Sequence, residues 1–502
     1  MQNGVTMTSG WDKEADVIVI GYGGAGAAAA IAAHDAGARV LVLESTAQGG
    51  GNTLVSFGGF MCPAHPDKAI SYITGLYDFS HSEKDDELIR VFVEESSKTV
   101  EWLKSLKQGV EVLAYGGASY PTLTGAETIK RYVVKGTNKG ATAFAQNLWR
   151  LLTSAVQEER NIPVLTDTPA KRLVTGSDGT VLGVIARTQN GEISIQAKRG
   201  VIITTGGYGS NTEILQNYVK GSPIYSLGHP GNRGDGLLMA QKAGAKLWHM
   251  NGVSCAFGIK VPESESALMM AIGGAGQIFV DKSGKRFIDE ASIERHAGLL
   301  AVDFFDSHSL TYPRIPFFLI FDETTRQRGP ISRTSGLGSA GIHYSWSRDN
   351  SKEVVNGWIS KADTLAELGR KLNIDEASLN KTITQWNADV TMGNDTLYGR
   401  VIPDDRSSAL IANGPFYAVA IHPCLINTQG GPRRNGKAQI VDAFNKPISR
   451  LYSAGELGSM WGMIYQGGGN IAECLAFGRI AGAHAADEKP VISSAVTTKG
   501  GP

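Results

Sequence analysis

Short apolar runs that end on glycine or on an acid recur along the chain, and they predict buried strands feeding tight turns. The first, DVIVIG at 16–21, is nearly continuous in aliphatic residues, as a parallel strand covered on both faces must be. RVLVLE at 39–44 repeats the pattern and ends on Glu44. Between them, GAGAAAAIAA predicts a slim helix, because alanine has the highest helix propensity. A charged helical region follows at SEKDDELIRVFVEESSKTVEWLKSL. Residues 163–211 alternate as a β-meander with turns at SDG and QNG, and the last strand, VIITTGG, returns to a glycine pair. Further on, QIFVDKSGKRFIDE predicts a hairpin turning at KSG, and FFLIFDE a strand. ADTLAELGRKLN and DEASLNKTITQWNADV predict amphipathic helices, the second opened by an acid. ISRLYSAGELGSMW gives a strand and a small-residue turn, and IYQGGGNIAECLAFGRIAGAHAA a helix entered through glycines.

The glycines carry the first chemistry. Gly21, Gly23 and Gly26 have the G-x-G-x-x-G spacing. Gly21 allows the tight turn, Gly23 lets backbone amides approach a pyrophosphate, and Gly26 lets helix and strand pack closely. Gly24 and Ala25 lie inside that loop. Glu44, 18 residues beyond Gly26, can accept hydrogen bonds from an adenosine ribose. Strand, glycines, helix, strand and acid in that order predict a dinucleotide site. A second glycine-rich loop, STAQGGGNTLVSFGGFMCPA, extends it past one ribose. With VIITTGG and the C-terminal glycine-rich region, four glycine-rich stations fit a long cofactor such as FAD.

Composition narrows the class. A chain of 502 residues predicts two domains, or one large core with an inserted one. Lys+Arg and Asp+Glu both number 48, which gives no support for nucleic acid or an anionic membrane as partner. No run of about 18 apolar residues predicts a membrane span. The first residues, MQNGVTMTSGWDKE, lack the apolar core of a signal peptide. The tail after Ala486, DEKPVISSAVTTKGGP, is expected to be loose. Cys62, Cys255, Cys424 and Cys474 are far apart with no C-x-x-C. No iron–sulfur, zinc or other metal site is therefore expected, and a reducing cytoplasm is.

Seven stretches then carry a resemblance: DVIVIGYGGAGAAAAIAA, GGNTLVSFGG, VIITTGGYGSN, GHPGNRGDGLLMAQKAGAKL, GKRFIDE, LYSAGE and GGGNIAECLAFGRIAG. In this order, over nearly the whole chain, they resemble the FAD-dependent fumarate reductase / succinate dehydrogenase flavoprotein family, nearest its 3-ketosteroid dehydrogenase branch. The resemblance implies an α/β fold: a Rossmann-like, glutathione-reductase-type FAD domain with a β-meander, interrupted by an α+β capping domain. It implies residues 1–250 and 401–502 for FAD and 251–400 for the cap. It also implies roles. Gly21, Gly23, Gly24, Ala25 and Gly26 would face the pyrophosphate, and Glu44 and Ser45 the ribose. Gly50, Gly51, Asn52, Thr53, Gly58 and Gly59 would border the flavin. Ala170, Thr205, Gly206 and Gly207 would support the adenosine side, with Asp235, Gly455 and Glu456 near the ribityl chain. The helix opening at Asn470 and Ile471 would point its positive end at the flavin's pyrimidine edge. Some members attach FAD through a histidine; the matching position is Asn52, so the FAD is expected to be non-covalent.

The departures from the family set the substrate class. The histidine and arginine with which fumarate reductases hold a dicarboxylate match Asn427 and Gln466. Burying two carboxylates without cations is prohibitive, so strict fumarate chemistry is disfavoured. The ketosteroid branch holds a ketone with a tyrosine and a glycine amide, which match Tyr465 and Gly469. Its proton-abstracting tyrosine has no counterpart after Glu290, where Glu294, Arg295 and His296 stand. Arg295 and His296 are the proton-transfer candidates, and Tyr115 and Tyr120 are possible cavity walls. The expected function is an FAD-dependent oxidoreductase that dehydrogenates or reduces a C–C bond next to a carbonyl in a small, largely apolar substrate, with a separate electron donor or acceptor. One alternative reduces an unsaturated carboxylate anchored by Arg326 and Arg295; another binds flavin without catalysis.

Overall fold

The computed structural model describes residues 10–137, 143–262, 264, 266–270, 274–332 and 344–491. Residues 1–9, and the tail beyond Val491, lie outside the described residues.

The first apolar run, Lys13–Ile20, sits inside an eight-stranded sheet whose path is Gln439–Val441, Pro447–Ser453, Gly191–Ile203, Lys13–Ile20, Val40–Leu43 and Val164–Leu165. From Pro447–Ser453 onward along that path every pairing is parallel. Val17 and Val19 point into one hydrophobic cluster, Ile18 and Ile20 into the cluster on the other face. Burial on both faces is why the run has no polar alternation. The meander forms as predicted, with Ala170–Thr175, Val181–Thr188 and Gly191–Ile203 antiparallel in sequence.

Helix Gly24–Asp35 lies directly on the last helix, Gly469–Asp487. A Cβ on Gly478 would stand 2.7 Å from the Ala25 carbonyl oxygen, and one on Gly482 would stand 2.3 Å from that of Ala29. The two helices therefore touch through backbone, which only glycine and alanine permit. Because position 478 meets 25–29 and 482 meets 29–33, the helices run parallel, with both N-termini at the glycine loops. The long helix is pinned from the other side by a fully buried ion pair between Arg434 and Glu473. Glu473 also accepts from Ser459 Oγ at 2.6 Å and the Met460 amide at 2.8 Å, fixing the turn after Glu456.

A seven-stranded sheet is built around Phe416–Thr428, flanked antiparallel by Val253–Lys260 and Phe317–Asp322. Tyr225–Ser226 also pairs with it, so its members come from all three spans of the chain. Helices Leu365–Leu372 and Glu376–Met392 cover one face with Leu368, Leu379, Ile383 and Trp386. Asp375 caps the second by accepting the Ser378 amide at 2.7 Å, the role its acid predicts.

The hairpin expected at 277–290 forms only its turn. Asp281 N donates to the Lys285 carbonyl at 2.9 Å, but Gln277–Val280 pairs with Phe317–Asp322 instead. The second arm is drawn into a buried charge cluster. Arg286 bonds Glu290 and Asp395 at 2.9 Å each, and Arg400 bonds Glu290 at 3.2 Å. Four mutually paired charges outweigh the alternation that suggested a strand.

A three-stranded sheet, Phe60–Pro63, Ile129–Val134 and Val112–Gly116, brings Tyr115 and Arg131 above the N-terminus of the long helix. The Met61 amide donates to the Gly468 carbonyl at 3.0 Å. Among the described residues no helix is long and apolar enough to cross a membrane.

Candidate functional site

A cleft crosses the C-terminal ends of the parallel strands. Its walls bring together Gly21, Gly23, Gly24, Ala25, Glu44, Ser45, Gly50, Gly51, Asn52, Thr53, Ala170, Thr205, Gly206, Asp235 and Glu456. Gly26 lies beneath it, where a Cβ would stand 2.0 Å from the Gly21 carbonyl oxygen. Gly58 packs on the Ala145 backbone, Gly59 under the Tyr115 hydroxyl, and Gly207 and Gly455 beside Glu456 and Ala25 respectively. Asn470 and Ile471 form the first turn of the long helix. Tyr22, His229, Asn232 and Cys474 also line the cleft. The sequence does not mark these individually as cofactor contacts, although the GHPGN stretch carries two of them.

Glu44 is fixed before any ligand arrives. Its Oε2 accepts the Tyr22 amide at 2.9 Å, and its Oε1 accepts the Thr46 amide at 2.9 Å and the Thr46 hydroxyl at 2.8 Å. At the other end Asn52 joins three segments. Its Nδ2 donates to Glu456 Oε2 at 2.7 Å, and its Oδ1 accepts the His229 amide at 2.7 Å. The Thr428 amide donates to Glu456 Oε1 at 3.0 Å. Among the described residues, the buried hydroxyl of Thr205 and both polar side-chain atoms of Asn470 have no hydrogen-bond partner. Buried polar atoms are rarely left unpaired, so these three fit a bound polar group.

Burial pushes the Glu456 carboxyl up to about 7, against the hydrogen bonds from Thr428, Asn52 and Gly207. The folded chain therefore binds this proton more tightly than the unfolded one. Its contribution is full below the ordinary carboxyl value near 4.5 and is lost as pH rises through about 7. Glu456→Gln is expected to remove on the order of 3 kcal/mol of pH-dependent stability across that window, read as a flatter plot of urea midpoint against pH.

The second half of the site is the loop before the long helix. Buried Tyr465 accepts the Gly468 and Asn470 amides on its hydroxyl oxygen at 3.0 and 3.3 Å. No acceptor takes its own proton among the described residues. Burial raises its phenol well above the ordinary value, so it stays protonated. The Gly469 amide donates to the Gln466 carbonyl at 2.8 Å and is thus already engaged, unlike the free donor expected. Gln466 accepts from the Tyr72 hydroxyl at 2.5 Å and the Ser119 amide at 2.8 Å. Asn427 is buried and donates to the Thr428 carbonyl at 3.1 Å.

His296 reaches this loop: its ring meets Tyr465 edge-on with centroids 4.7 Å apart. Arg295 is exposed. Arg326 is not brought here. Its guanidinium pairs with Glu323 at 2.6 Å and Asp349 at 3.2 Å and lies over the Tyr417 ring. Tyr417 and Thr428 stand at opposite ends of one strand, roughly 35 Å apart, so Arg326 is a structural cation of the outer sheet. Arg131, which the sequence reading did not single out, does reach the site. Its Nη1 would stand 3.1 Å from a Cβ on Gly467, and its guanidinium lies over the Tyr115 ring at 5.1 Å. Tyr120 lies against Tyr72, its amide 3.3 Å from the Tyr72 hydroxyl.

A nucleotide cleft lined by the long helix at Cys474, with a buried phenol at the N-terminus of that same helix, is the layout of a flavin-dependent oxidoreductase. The chain belongs to the FAD binding domain family, whose model matches residues 16–471. A probable fumarate reductase of Shewanella frigidimarina is 28% identical over 491 residues, 96% of this chain and 76% of that protein. The 3-oxosteroid 1-dehydrogenase of Mycolicibacterium smegmatis is 27% identical over 561 residues, 93% of this chain and 96% of that protein. In fold, the chain is similar to 3-ketosteroid delta1-dehydrogenase from Sterolibacterium denitrificans, with a TM-score of 0.81 at 21% identity, covering 95% of this chain and 100% of that one. The α/β fold with a capping domain and the FAD cofactor expected from the sequence are those of this family.

Proposed function

We propose that the protein oxidises or reduces a carbon–carbon bond next to a carbonyl in a small, largely apolar substrate. One observation carries this reading: the buried Tyr465 hydroxyl has two amides on its oxygen and, among the described residues, no acceptor for its proton. A substrate carbonyl oxygen supplies that acceptor. The two amides polarise the O–H bond, and a donor aimed at a carbonyl favours its enol form and acidifies the adjacent C–H. Glu44, Asn52, Glu456 and the glycine turns would hold FAD, and Asn52 offers no nucleophile for a covalent link. When bound, the flavin supplies two-electron hydride chemistry. Electrons would come from, or go to, a separate donor or acceptor. The four unpaired cysteines suit a reducing cytoplasm.

Arg131 favours a second reading, reduction of an unsaturated monocarboxylate. Among the described residues no carboxylate lies within ion-pair distance of it, and its Nε is buried without a partner. Anaerobic photoreduction of the flavin, followed by a panel of enones and enoates, separates the two. On the first reading enones restore the oxidised spectrum, and Arg131→Gln leaves them unaffected. On the second, enoates do so, and Arg131→Gln raises their KM about 10–100-fold, the loss of one charge-assisted carboxylate contact. A flavin reoxidised by neither class would mark a binding protein without this catalysis.

A further inference from the structure

Glu294 and His296 face each other within one turn, which the Cys255 amide ties to strand Val253–Lys260 by donating to the His296 carbonyl at 2.9 Å. Glu294 Oε1 stands 2.8 Å from His296 Nδ1, and Oε2 accepts the His296 amide at 2.6 Å. A carboxylate at Nδ1 keeps the neutral ring's proton there and leaves the lone pair on Nε2. The imidazole is 24% exposed, stands edge-on to Tyr465, and would bring Cε1 3.5 Å from a Cβ on Gly467. It thus borders the space into which the Tyr465 proton is free to point. Arg295, the neighbouring alternative, is exposed and is a far weaker acid.

We propose that His296 Nε2 exchanges the proton on the carbon next to the substrate carbonyl, and that Glu294 is its positioning residue. This rests on the carbonyl reading above. In the oxidising direction the Cα–H bond breaks and its proton joins the Nε2 lone pair. The C–H electron pair moves into the carbonyl, giving an enolate whose oxygen accepts from Tyr465. In the reducing direction the proton returns from Nε2 to the same carbon.

The charged groups around the ring are Glu294 on its own turn and Arg131 from strand Ile129–Val134, which meets it at Gly467. The phenols of Tyr465, of Tyr72 from helix Pro66–Ser80 and of Tyr120 are all raised by burial and stay neutral. Ser119 shares the Glu294 carboxylate.

The test uses flavin-loaded protein labelled with nitrogen-15 histidine, with His296→Gln identifying the resonance. The expected neutral ring has a protonated Nδ1 and a bare Nε2; the opposite tautomer overturns the proposal. Glu294→Gln is expected to release the ring to a mixture of its two neutral tautomers, because the carboxylate that holds the proton on Nδ1 is gone. It should lower kcat about tenfold with KM unchanged, and His296→Gln should lower kcat at least about 100-fold. An unchanged tautomer in Glu294→Gln overturns the positioning role. If no enone reoxidises the reduced flavin, the carbonyl reading fails, while the tautomer still decides whether the pair exists as described.

Discussion

Gly26→Ala is expected to yield protein almost free of flavin, with less than about a tenth of the wild-type content, and less stable by about 3 kcal/mol. The new methyl would stand 2.0 Å from the Gly21 carbonyl oxygen and 2.9 Å from Thr204 Oγ1. Neither can retreat. The Gly21 carbonyl is backbone in a turn held at φ +99°, and Thr204 Oγ1 bonds the Ile20 and Gly21 carbonyls at 2.9 Å each. Relief requires helix Gly24–Asp35 to lift off the strand. That would shift the amides of the turn and break the backbone contact with Gly478 and Gly482. Gly37→Ala is the control. Its Cβ would meet nothing within 4 Å, although φ is +86°; it should cost about 1 kcal/mol and keep its flavin. Flavin absorbance of the purified protein and urea midpoints check both. Normal flavin content in Gly26→Ala would show that the turn does not cradle the cofactor.

The same residues explain what could be read from sequence. The turn, the two buried strands and the acid at Glu44 are local, and each residue type there has a local steric or hydrogen-bonding cause. The helix caps and the meander turns are legible for the same reason. Contacts between distant segments are not. Glu456 and Asn52 are 404 positions apart, and nothing near either one specifies the other. Arg131 sits in IKRYVV, which reads as an ordinary strand; only pairing with Phe60–Pro63 carries it to Gly467. Arg326 illustrates the converse. Its cation was legible, with Glu323 three residues away, but its second carboxylate, Asp349, lies 23 residues away, and without it an internal ion cluster resembles a substrate anchor. The KSG hairpin misled because alternation at 285–290 reports burial of Arg286 and Glu290 in a charge cluster rather than strand pairing.

Tyr465→Phe is expected to lower kcat for a ketone substrate by about 10²–10³, the loss typical of one donor at a developing oxyanion. The hydroxyl has two tasks, and the variant removes both. Its proton serves the carbonyl. Its oxygen serves the Gly468 and Asn470 amides, which phenylalanine would leave unpaired at a buried helix start, at about 1–3 kcal/mol for each buried donor. Stability and catalysis must therefore be read separately: a lowered urea midpoint reports the amides, and kcat at full flavin occupancy reports the proton. Because burial holds the phenol well above its ordinary value, its ionisation should add no limb to the pH profile below about pH 10. Any limb near neutrality then belongs to another group. If Tyr465→Phe lost stability but turned over a ketone at the wild-type rate, the tyrosine would be only a cap for the helix. Catalysis would then pass to the Arg131 side of Gly467, and with it the choice of an acid over a ketone.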